Sequence, residues 1–568
     1  MWDKFTQRKE YNNMIRRKMF GFLWGGGVTH SHSLRAFLFT AGMLTLTANA
    51  RNIYITPDAD GTGDGSSWES PMMLTNYLKA ANISGGDIVR LKSGHYTAKI
   101  APVSFENKTL TISGGYAGTD DDELDENYPY SDIDFANYKD SSTTYYSFFL
   151  CKAKAGYSLT LERLQLRGAR SAPIYKTNAG ALHLSDCHII SNGWRNYTSS
   201  HSNGGRGIHA ESGSLTLSKC KIAYNGMYFG SGSVSTYNDH GYGLYLNGTS
   251  TRLTDCTFIG NGAKISDEAP VASLRNGGRG VAIYATGAKV NAEKCDFICN
   301  RGALGSYSSS ASTQAEGGIV VFVGNCNGST FTNCSWVANQ NLRDVQNNGN
   351  TYYGGVLTLD MSSRDYAVSV DKCTFAYNIT DSSNAAAGID VRNGTLNLSN
   401  SIFAGNKARD GNTLGVDLVV RTNGTANVEY CLFSSKGNTN ITVEEIGEDK
   451  GILSMKGIVE AEAELATDKA TANALVKTRT KKPYLVYDPE RIEDVLAFDV
   501  HARSKGGRWT AGGFLKDKVH SPAIDAGDPD ASYRNETKPH GRRLNLGRYG
   551  GTEEASRSRP TGLSVMIR

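Results

Sequence analysis

The sequence predicts an all-β protein: a right-handed parallel β-helix, built as a single solenoid with an N-terminal cap and a C-terminal closing segment that contains a short helix. Three observations predict this fold. One unit recurs through the middle of the chain, a glycine-led strand precedes most copies of it, and turn residues rather than helical patterns separate the strands. Units of this size cannot bury a face alone, so they must stack on one another.

The recurring unit reads apolar-x-apolar-x-x-Cys-x-apolar-x-x-Asn, as in LTLSKCKIAYN at 215–225, and its alternating apolar positions indicate strands. Stacking places equivalent positions above one another, so we expect an interior cysteine column and an asparagine column at a turn. Asparagine suits such a turn because it tolerates left-handed backbone and its amide both donates and accepts hydrogen bonds. The predicted columns are Cys187, Cys220, Cys256, Cys295, Cys334, Cys373 and Cys431, and Asn192, Asn225, Asn261, Asn300, Asn339, Asn378 and Asn406.

Ten cysteines would suggest disulfides if the chain reaches an oxidising compartment. However, stacked side chains point in parallel at a spacing of about 4.8 Å, whereas a disulfide needs β-carbons about 3.8 Å apart and turned toward each other. We therefore expect buried free thiols. The chain also has no CxxC motif, which argues against a metal site built from these cysteines.

Composition excludes several classes of protein. A hydrophobic share of 39% excludes a fully disordered chain, and the 63 glycines lack the every-third spacing of collagen. The formal net charge of +4 comes from the first 50 residues, which hold seven basic and two acidic side chains. The remaining chain has 53 basic and 54 acidic side chains, so its charge indicates no nucleic-acid partner.

The N-terminal region carries an export signal. The apolar run at 36–48 follows Arg35 and leads into the small-x-small site Ala48-Asn49-Ala50, the order typical of a signal peptide, and it is too short to span a bilayer. We expect a protein that is secreted or held at the cell surface, with outer-membrane association open and no transmembrane span. The expected divisions are 1–50 for the extension and signal peptide, 51–150 for the cap and first rungs, 151–436 for the repeats, and 437–568 for the C-terminal rungs, a helical insertion and the closing segment.

The glycine-glycine strands followed by Cys-x-Phe-x-x-Asn resemble the repeats of polymorphic outer-membrane-protein passengers and, more broadly, secreted β-helix proteins of the choice-of-anchor Q type. The flanks IYITPDADGTGDGSSWESP (53–71) and HSPAIDAGDP (520–529) are similar to the opening and closing segments of such proteins. The resemblance implies the fold. It leaves the function open, because these families include adhesins, uncharacterised surface proteins and polysaccharide-degrading relatives.

Two C-terminal segments have expected roles of their own. EAEAELATDKATANALVK at 460–477 is alanine-rich and predicts a helix over the last rungs. The closing segment is expected to cap the open end of the sheets, because an exposed edge invites aggregation.

A possible calcium loop lies near the start of the mature chain. DADGTGDGSSWE at 58–69 has the spacing of acidic residues and glycine found in calcium loops, although a glycine-rich turn without a metal explains it too. No cofactor is required by the sequence, and calcium remains an option. The candidate ligands are Asp58, Asp60, Asp64 and Glu69.

The motif Asn-Gly-Gly-Arg-Gly occurs twice and places Arg206 and Arg279 in equivalent positions, about two rungs apart, with Tyr242 between them. Stacked basic and aromatic side chains suit an acidic polysaccharide. Asp239 and His240 in the intervening rung are the available acid–base candidates. Alternatively, both arginines are structural and bond turn carbonyls.

Long loops follow the asparagine turn in the first five repeats and share one position in the repeat, so they emerge along one edge of the solenoid. Aromatic residues among serine, asparagine and glycine are typical of recognition surfaces. Solvated loops without a ligand are the competing interpretation. The candidate ligand-binding residues on these loops are Trp194, Tyr197, Tyr228 and Tyr237, which join Arg206, Tyr242 and Arg279.

Two functions follow. The first is an exported, monomeric β-helix that binds extracellular or cell-surface polysaccharide, or acts as an adhesin, through its loop-bearing edge. The second is a lyase or glycoside hydrolase acting on acidic glycans, with Arg206, Asp239, His240 and Arg279 around the reacting sugar. Whether the protein is an enzyme is left open by the sequence.

Overall fold

The predicted parallel β-helix is confirmed in a computed structural model of the chain. The described residues form one compact unit. Strands of the two largest sheets pair in parallel with their counterparts on the next rung, as in Leu182 opposite Leu215 and Ile189 opposite Ile222. The structure describes residues 50–79, 81–97, 103–119, 123–135, 149–169, 171–193, 206–226, 240–262, 279–304, 315–343, 352–380, 385–408, 416–434, 440–446, 449–478, 485–487 and 491–559.

Within the described residues, the largest sheet contributes up to two strands to each rung and the second sheet contributes one. The largest sheet consists of Asn52–Ile55, Ile88–Lys92, Val103–Phe105, Leu110–Tyr116, Phe149–Cys151, Ser158–Glu162, Ile174–Lys176, Ala181–Ser185, Ile208–Glu211, Ser214–Ser218, Leu244–Asn247, Ser250–Thr254, Ile283–Thr286, Lys289–Glu293, Val320–Gly324, Ser329–Thr332, Leu357–Met361, Ala367–Asp371, Ile389–Ser399, Leu418–Glu429, Ile441–Val443 and Ile452–Lys456. The second sheet consists of Gly94–Thr97, Ser131–Asp134, Leu164–Arg167, His188–Ile190, Lys221–Ala223, Thr257–Ile259, Asp296–Ile298, Ser335–Val337, Thr374–Ala376, Ile402–Ala404, Leu432–Phe433 and Val459–Glu460.

Shorter elements complete the fold. Parallel strands on the side of the long loops are Arg301–Leu304, Gln340–Arg343, Ile379–Thr380 and Lys407–Ala408, with the pair Ala315–Glu316 and Tyr352–Tyr353. The antiparallel hairpins are Glu445–Ile446 with Asp449–Lys450, Val476–Thr478 with Leu485–Tyr487, and Arg508–Thr510 with Gly513–Leu515. The helices of the described residues are Leu74–Tyr77, Lys469–Asn473 and Ile492–Leu496.

The solenoid interior is filled by one side-chain column per inward strand position. Leu215 and Leu217 are fully buried, whereas Thr216 between them faces outward and is partly exposed. This alternation is the pattern from which the strands were predicted. On six successive rungs, the position two residues after the cysteine slot (Ser401 on one of them) forms an aromatic stack with ring centroids 4.5–5.0 Å apart: Phe258, Phe297, Trp336, Phe375, Phe403 and Phe433.

The cysteine column is present and its thiols are free, as predicted; all ten cysteines are unpaired and buried. Each thiol of the column donates to the carbonyl two residues earlier, for example Cys334 to Thr332 at 3.4 Å and Cys373 to Asp371 at 3.3 Å. Cysteine therefore acts here as a small apolar residue that also satisfies a turn carbonyl.

The asparagine column forms a hydrogen-bonded ladder, also as predicted. In Asn300, Nδ2 donates to the carbonyl of Phe258 (2.9 Å) and to Oδ1 of Asn339 (3.0 Å). Its Oδ1 accepts from both the backbone and the side chain of Asn261. The same pattern joins Asn192 through Asn406, so each amide links three successive rungs.

The closing segment lies along the outer face of the second sheet, and this position corrects the expectation that it caps the end of the solenoid. Nε of Arg548 donates to Oδ1 of Asp296 (3.0 Å), and Nδ2 of Asn333 donates to the carbonyl of Arg548 (2.9 Å). The backbone N–H of Arg548 donates to Oγ1 of Thr374 (2.9 Å). These partners belong to successive rungs in the middle of the solenoid. A second hydrophobic cluster, with Leu546 and Ala404, fills the space between sheet and segment.

The helix predicted over 460–477 is much shorter in the structure. Only Lys469–Asn473 is helical, and Asp468 caps its start by accepting the N–H of Thr471 (2.7 Å). The predicted segment begins at Glu460, which belongs to the sheet strand Val459–Glu460 paired with Leu432–Phe433 and so cannot start a helix. None of the helices in the described ranges has the length and hydropathy needed to cross a membrane.

Candidate functional site

The candidate site lies on the outer face of the largest sheet, on four strands of successive rungs. Parallel register places one aromatic side chain at the same position on four successive rungs. We call this set the aromatic column: Tyr175, His209, Tyr245 and Tyr284. Successive ring centroids are 4.5, 4.6 and 5.7 Å apart. Tyr175 and Tyr245 are partly exposed, whereas His209 and Tyr284 are 7% exposed.

Arg206 is buried against the aromatic column, with 3% of its surface exposed. Its Nη1 donates to Nδ1 of His209 (2.8 Å), and its guanidinium carbon is 4.0 Å from the centre of the Tyr245 ring. Its Nε donates to the carbonyl of His240 (2.9 Å). The last contact matches the alternative that the arginine bonds a turn carbonyl, and the first two show that it also positions the aromatic column.

The imidazole of His209 is held in one protonation state. Because Nδ1 accepts from Arg206, the ring proton lies on Nε2, which donates to Oε1 of Glu211 (2.9 Å). Burial, reinforced by the charge of Arg206, lowers the pKa of His209 to about 3. The ring is therefore neutral at physiological pH, and both its nitrogens are engaged.

Glu211 is a solvent-accessible charged group of the site, with 37% of its side chain exposed. Its Oε1 accepts from His209, and its Oε2 accepts from the hydroxyl of Tyr175 (3.1 Å). Burial and then the neighbouring carboxylate raise the pKa of Tyr175 to about 12, so the phenol keeps its proton. The site thus presents to solvent a fixed carboxylate beside partly exposed aromatic rings.

The sequence-predicted residues Arg206, His240 and Arg279 occupy neighbouring positions. His240 forms a parallel bridge with Arg279, and its ring stacks on Tyr284 with centroids 4.6 Å apart. Strand register sets Arg279 level with His240 but Arg206 level with Tyr242, so the expectation that the two arginines occupy equivalent positions is wrong. Arg206 reaches His240 only through its side chain. Tyr242 is 1% exposed and belongs to the hydrophobic core, so it does not contribute to this surface.

Five other predicted residues lie outside the described residues: Trp194, Tyr197, Tyr228, Tyr237 and Asp239. Conversely, the sequence did not point to five residues that the structure brings together: Tyr175, His209, Glu211, Tyr245 and Tyr284. The strands IHAE, LYLN and IYAT, aligned on their first residue, carry a signal for three of them, because their second positions are all aromatic.

The predicted calcium ligands do not converge. Oδ1 of Asp60 accepts from the backbone and hydroxyl of Thr62, and Oδ1 of Asp64 accepts from the backbone and hydroxyl of Ser66. Each of these two carboxylates therefore closes its own turn. Asp58 and Glu69 do not join Asp60 and Asp64 in a set of metal-ligating side chains. In the described ranges, no three histidine, cysteine, aspartate or glutamate side chains are placed to hold a metal ion.

Comparison with known proteins finds similar structures but no matching sequence family. No family model matches the sequence, and no curated protein matches it. The structure is similar to pectate lyase Pel9A (13% identity, 88% of this chain and 96% of that one, TM-score 0.35). The chain itself is a parallel β-helix, as its own sheet topology shows. It is also similar to a rhamnogalacturonan lyase (10% identity, 74% and 92%, TM-score 0.39) and to a mannuronic-acid-specific family 6 lyase from human gut microbiota (12%, 68% and 87%, 0.26).

Proposed function

We propose that this β-helix is exported and binds an extracellular or cell-surface polysaccharide on the face that carries the aromatic column. The observation that carries the proposal is the pairing of partly exposed tyrosine rings with the fixed carboxylate of Glu211. A tyrosine ring stacks on the apolar face of a sugar, and an oriented carboxylate accepts hydrogen bonds from sugar hydroxyls. A small number of polar groups with fixed directions, set among aromatic side chains, is typical of a ligand site.

The direction of the aromatic column supports an extended ligand. Its members repeat once per rung, at the strand spacing of about 4.8 Å, so the column runs parallel to the solenoid axis. A chain of sugar rings along this axis meets one aromatic side chain per rung. In the sequence, the loops predicted to carry recognition residues come directly before three of the strands that carry the aromatic column, at 193–203, 226–240 and 262–276.

The second candidate function is that of a lyase or glycoside hydrolase on acidic glycans. It is favoured by the hydrogen-bonded chain from Tyr175 through Glu211 to His209, which joins groups able to hold or transfer a proton. Against it, His209 is neutral with both nitrogens engaged, and Arg206 is buried and donates to protein atoms. Binding is therefore the better-supported function. Kinship with choice-of-anchor Q or polymorphic outer-membrane-protein repeats is part of this proposal and would account for export.

Affinity electrophoresis of the mature chain through gels containing neutral, uronate or sulfated glycans tests the proposal. We expect retardation in at least one glycan, and Tyr245→Ala and Glu211→Gln should each weaken it about tenfold, as loss of one good contact does. Tyr157→Ala removes an exposed tyrosine outside the column and is the control, with retardation unchanged.

The same samples separate the two functions. Absorbance from unsaturated sugars or new reducing ends would establish the enzyme and overturn a purely binding role. A protein that is neither retarded by any glycan nor forms product would overturn both functions.

A further inference from the structure

Within the described residues, the largest sheet ends at its C-terminal side on a strand that has a single partner strand. Ile452–Lys456 pairs with Leu418–Glu429 on one side. Within the described ranges, no backbone hydrogen bond joins its other edge to a further segment. The outer row of N–H and C=O groups of such a strand is a template for pairing with another strand.

Core side chains of this last rung are also incompletely covered. On the equivalent strand Ser214–Ser218 the inward leucines are fully buried. On Ile452–Lys456 the corresponding Leu453 and Met455 are only partly buried, and Ile452 is 46% exposed. The end therefore lacks one further layer of strands.

The opposite end of the solenoid is closed by its own chain. The N–H of Tyr54 donates to the carbonyl of Gly65 (2.9 Å), and the carbonyl of Tyr54 accepts from the N–H of Met72 (2.9 Å), so the outer edge of Asn52–Ile55 is satisfied. The helix Leu74–Tyr77 covers the core beside it, where Tyr77 is fully buried. Head-to-tail stacking of copies is thus blocked at this end.

We propose that two copies of this chain join through their C-terminal edges into a closed dimer. Pairing of this edge with its own copy across a twofold axis closes the assembly at two chains and makes the two edge strands antiparallel. Pairing centred on Ser454 sets Leu453 of one copy opposite Met455 of the other, on the core side. On the outer side it sets Ile452 opposite the aliphatic stem of Lys456. This dimer replaces the monomer expected from the sequence, and it does not depend on the glycan proposal.

Light scattering coupled to size-exclusion chromatography of the mature chain tests the dimer. We expect the mass of two chains at micromolar concentration and of one chain for Ile452→Lys, which places a charge at the twofold contact. Leu515→Lys changes a similarly exposed residue on the hairpin Arg508–Leu515 and should leave the dimer intact. A wild-type mass of one chain, or of more than two chains, would overturn the proposal, as would a dimer that survives Ile452→Lys.

A cysteine at the proposed twofold axis gives an independent readout, because the native thiols are all buried. Ser454→Cys is expected to form a covalent dimer under mild oxidation, seen on a non-reducing gel. Ser369→Cys, on an outward position in the middle of the same sheet, should remain a single chain. Equal cross-linking of both variants would mean random collision and would contradict the proposed interface.

Discussion

The guanidinium of Arg206 donates from Nη1 to Nδ1 of His209 across 2.8 Å, so a permanent cation lies against the only lone pair of a buried imidazole. Protonating this ring would break the hydrogen bond and bring two positive charges into contact. The pair therefore fixes both the tautomer and the charge of the residue at the centre of the aromatic column.

The first prediction concerns the titration of His209. Its pKa of about 3 lies below the ordinary value of 6.5, so the neutral ring stabilises the fold above pH 6.5, and this contribution is lost as the pH falls from 6.5 toward 3. NMR of the imidazole protons should show no titration of His209 between pH 5 and 8. Arg206→Gln removes the cation and should raise this pKa. The control Arg252→Gln changes an exposed arginine on the same sheet. A wild-type ring that titrates near pH 6.5 would contradict the assignment.

The second prediction concerns the asparagine ladder. Asn300→Ala removes the amide that donates to Phe258 and Asn339 and accepts from Asn261. Leaving buried partners unsatisfied should lower the free energy of unfolding by roughly 3 kcal/mol or more, measured by denaturant titration. Asn427→Ala, which removes an exposed amide that bonds Asn397, is the control and should cost less than about 0.5 kcal/mol. Equal losses in the two variants would show that the ladder adds nothing specific.

The third prediction concerns Glu536 in the closing segment. Its Oε1 accepts from the N–H groups of Asn545 and Gly551, while its Oε2 is buried without a hydrogen bond. Burial raises its pKa from 4.5 to about 7, so the stabilisation is complete below pH 4.5 and is lost as the pH rises through 7, in total roughly 3 kcal/mol.

Glu536→Gln removes this ionisation and should flatten the fall in Tm between pH 5 and 9. The matched variant Glu553→Gln changes an exposed glutamate of the same segment and should follow the wild-type profile. If Glu536→Gln also followed the wild-type profile, another group would have to account for the loss of stability.

The fourth prediction concerns the thiols. Burial raises the pKa of Cys326 to about 11 and that of Cys431 to about 12, which suppresses the reactive thiolate. A thiol-specific reagent should modify none of the ten cysteines in the native protein and all ten after denaturation. Reductant should leave Tm unchanged. A shift of Tm on reduction would reveal a disulfide and contradict the free column.

The stacked columns were predictable because one residue type recurs at one position, as Cys295 and Asn300 do in their repeat. The aromatic column was not, because its members differ in type and align only once strand register is known. Tyr242 was misplaced because strand register was unknown: it lies two residues before Leu244, on the same inward face, and level with Arg206 rather than between two equivalent arginines. The contact between Arg548 and Asp296 joins residues 252 positions apart, beyond any local pattern.

The contact between Arg548 and Asp296 implies an order in which the parts of the chain fold. Each rung contacts mainly its neighbouring rungs, so the solenoid can fold rung by rung as successive parts of the chain become available. Arg548 can reach Asp296 and Thr374 only when those rungs exist, and closing so large a loop is slow compared with local pairing. The outer flank of the second sheet, with Leu546 and its apolar neighbours, is therefore the last surface to leave water. We expect a chain truncated before Arg548 to keep its rungs but to leave this apolar flank exposed to solvent. An incompletely folded molecule therefore carries an aggregation-prone surface that the complete fold buries.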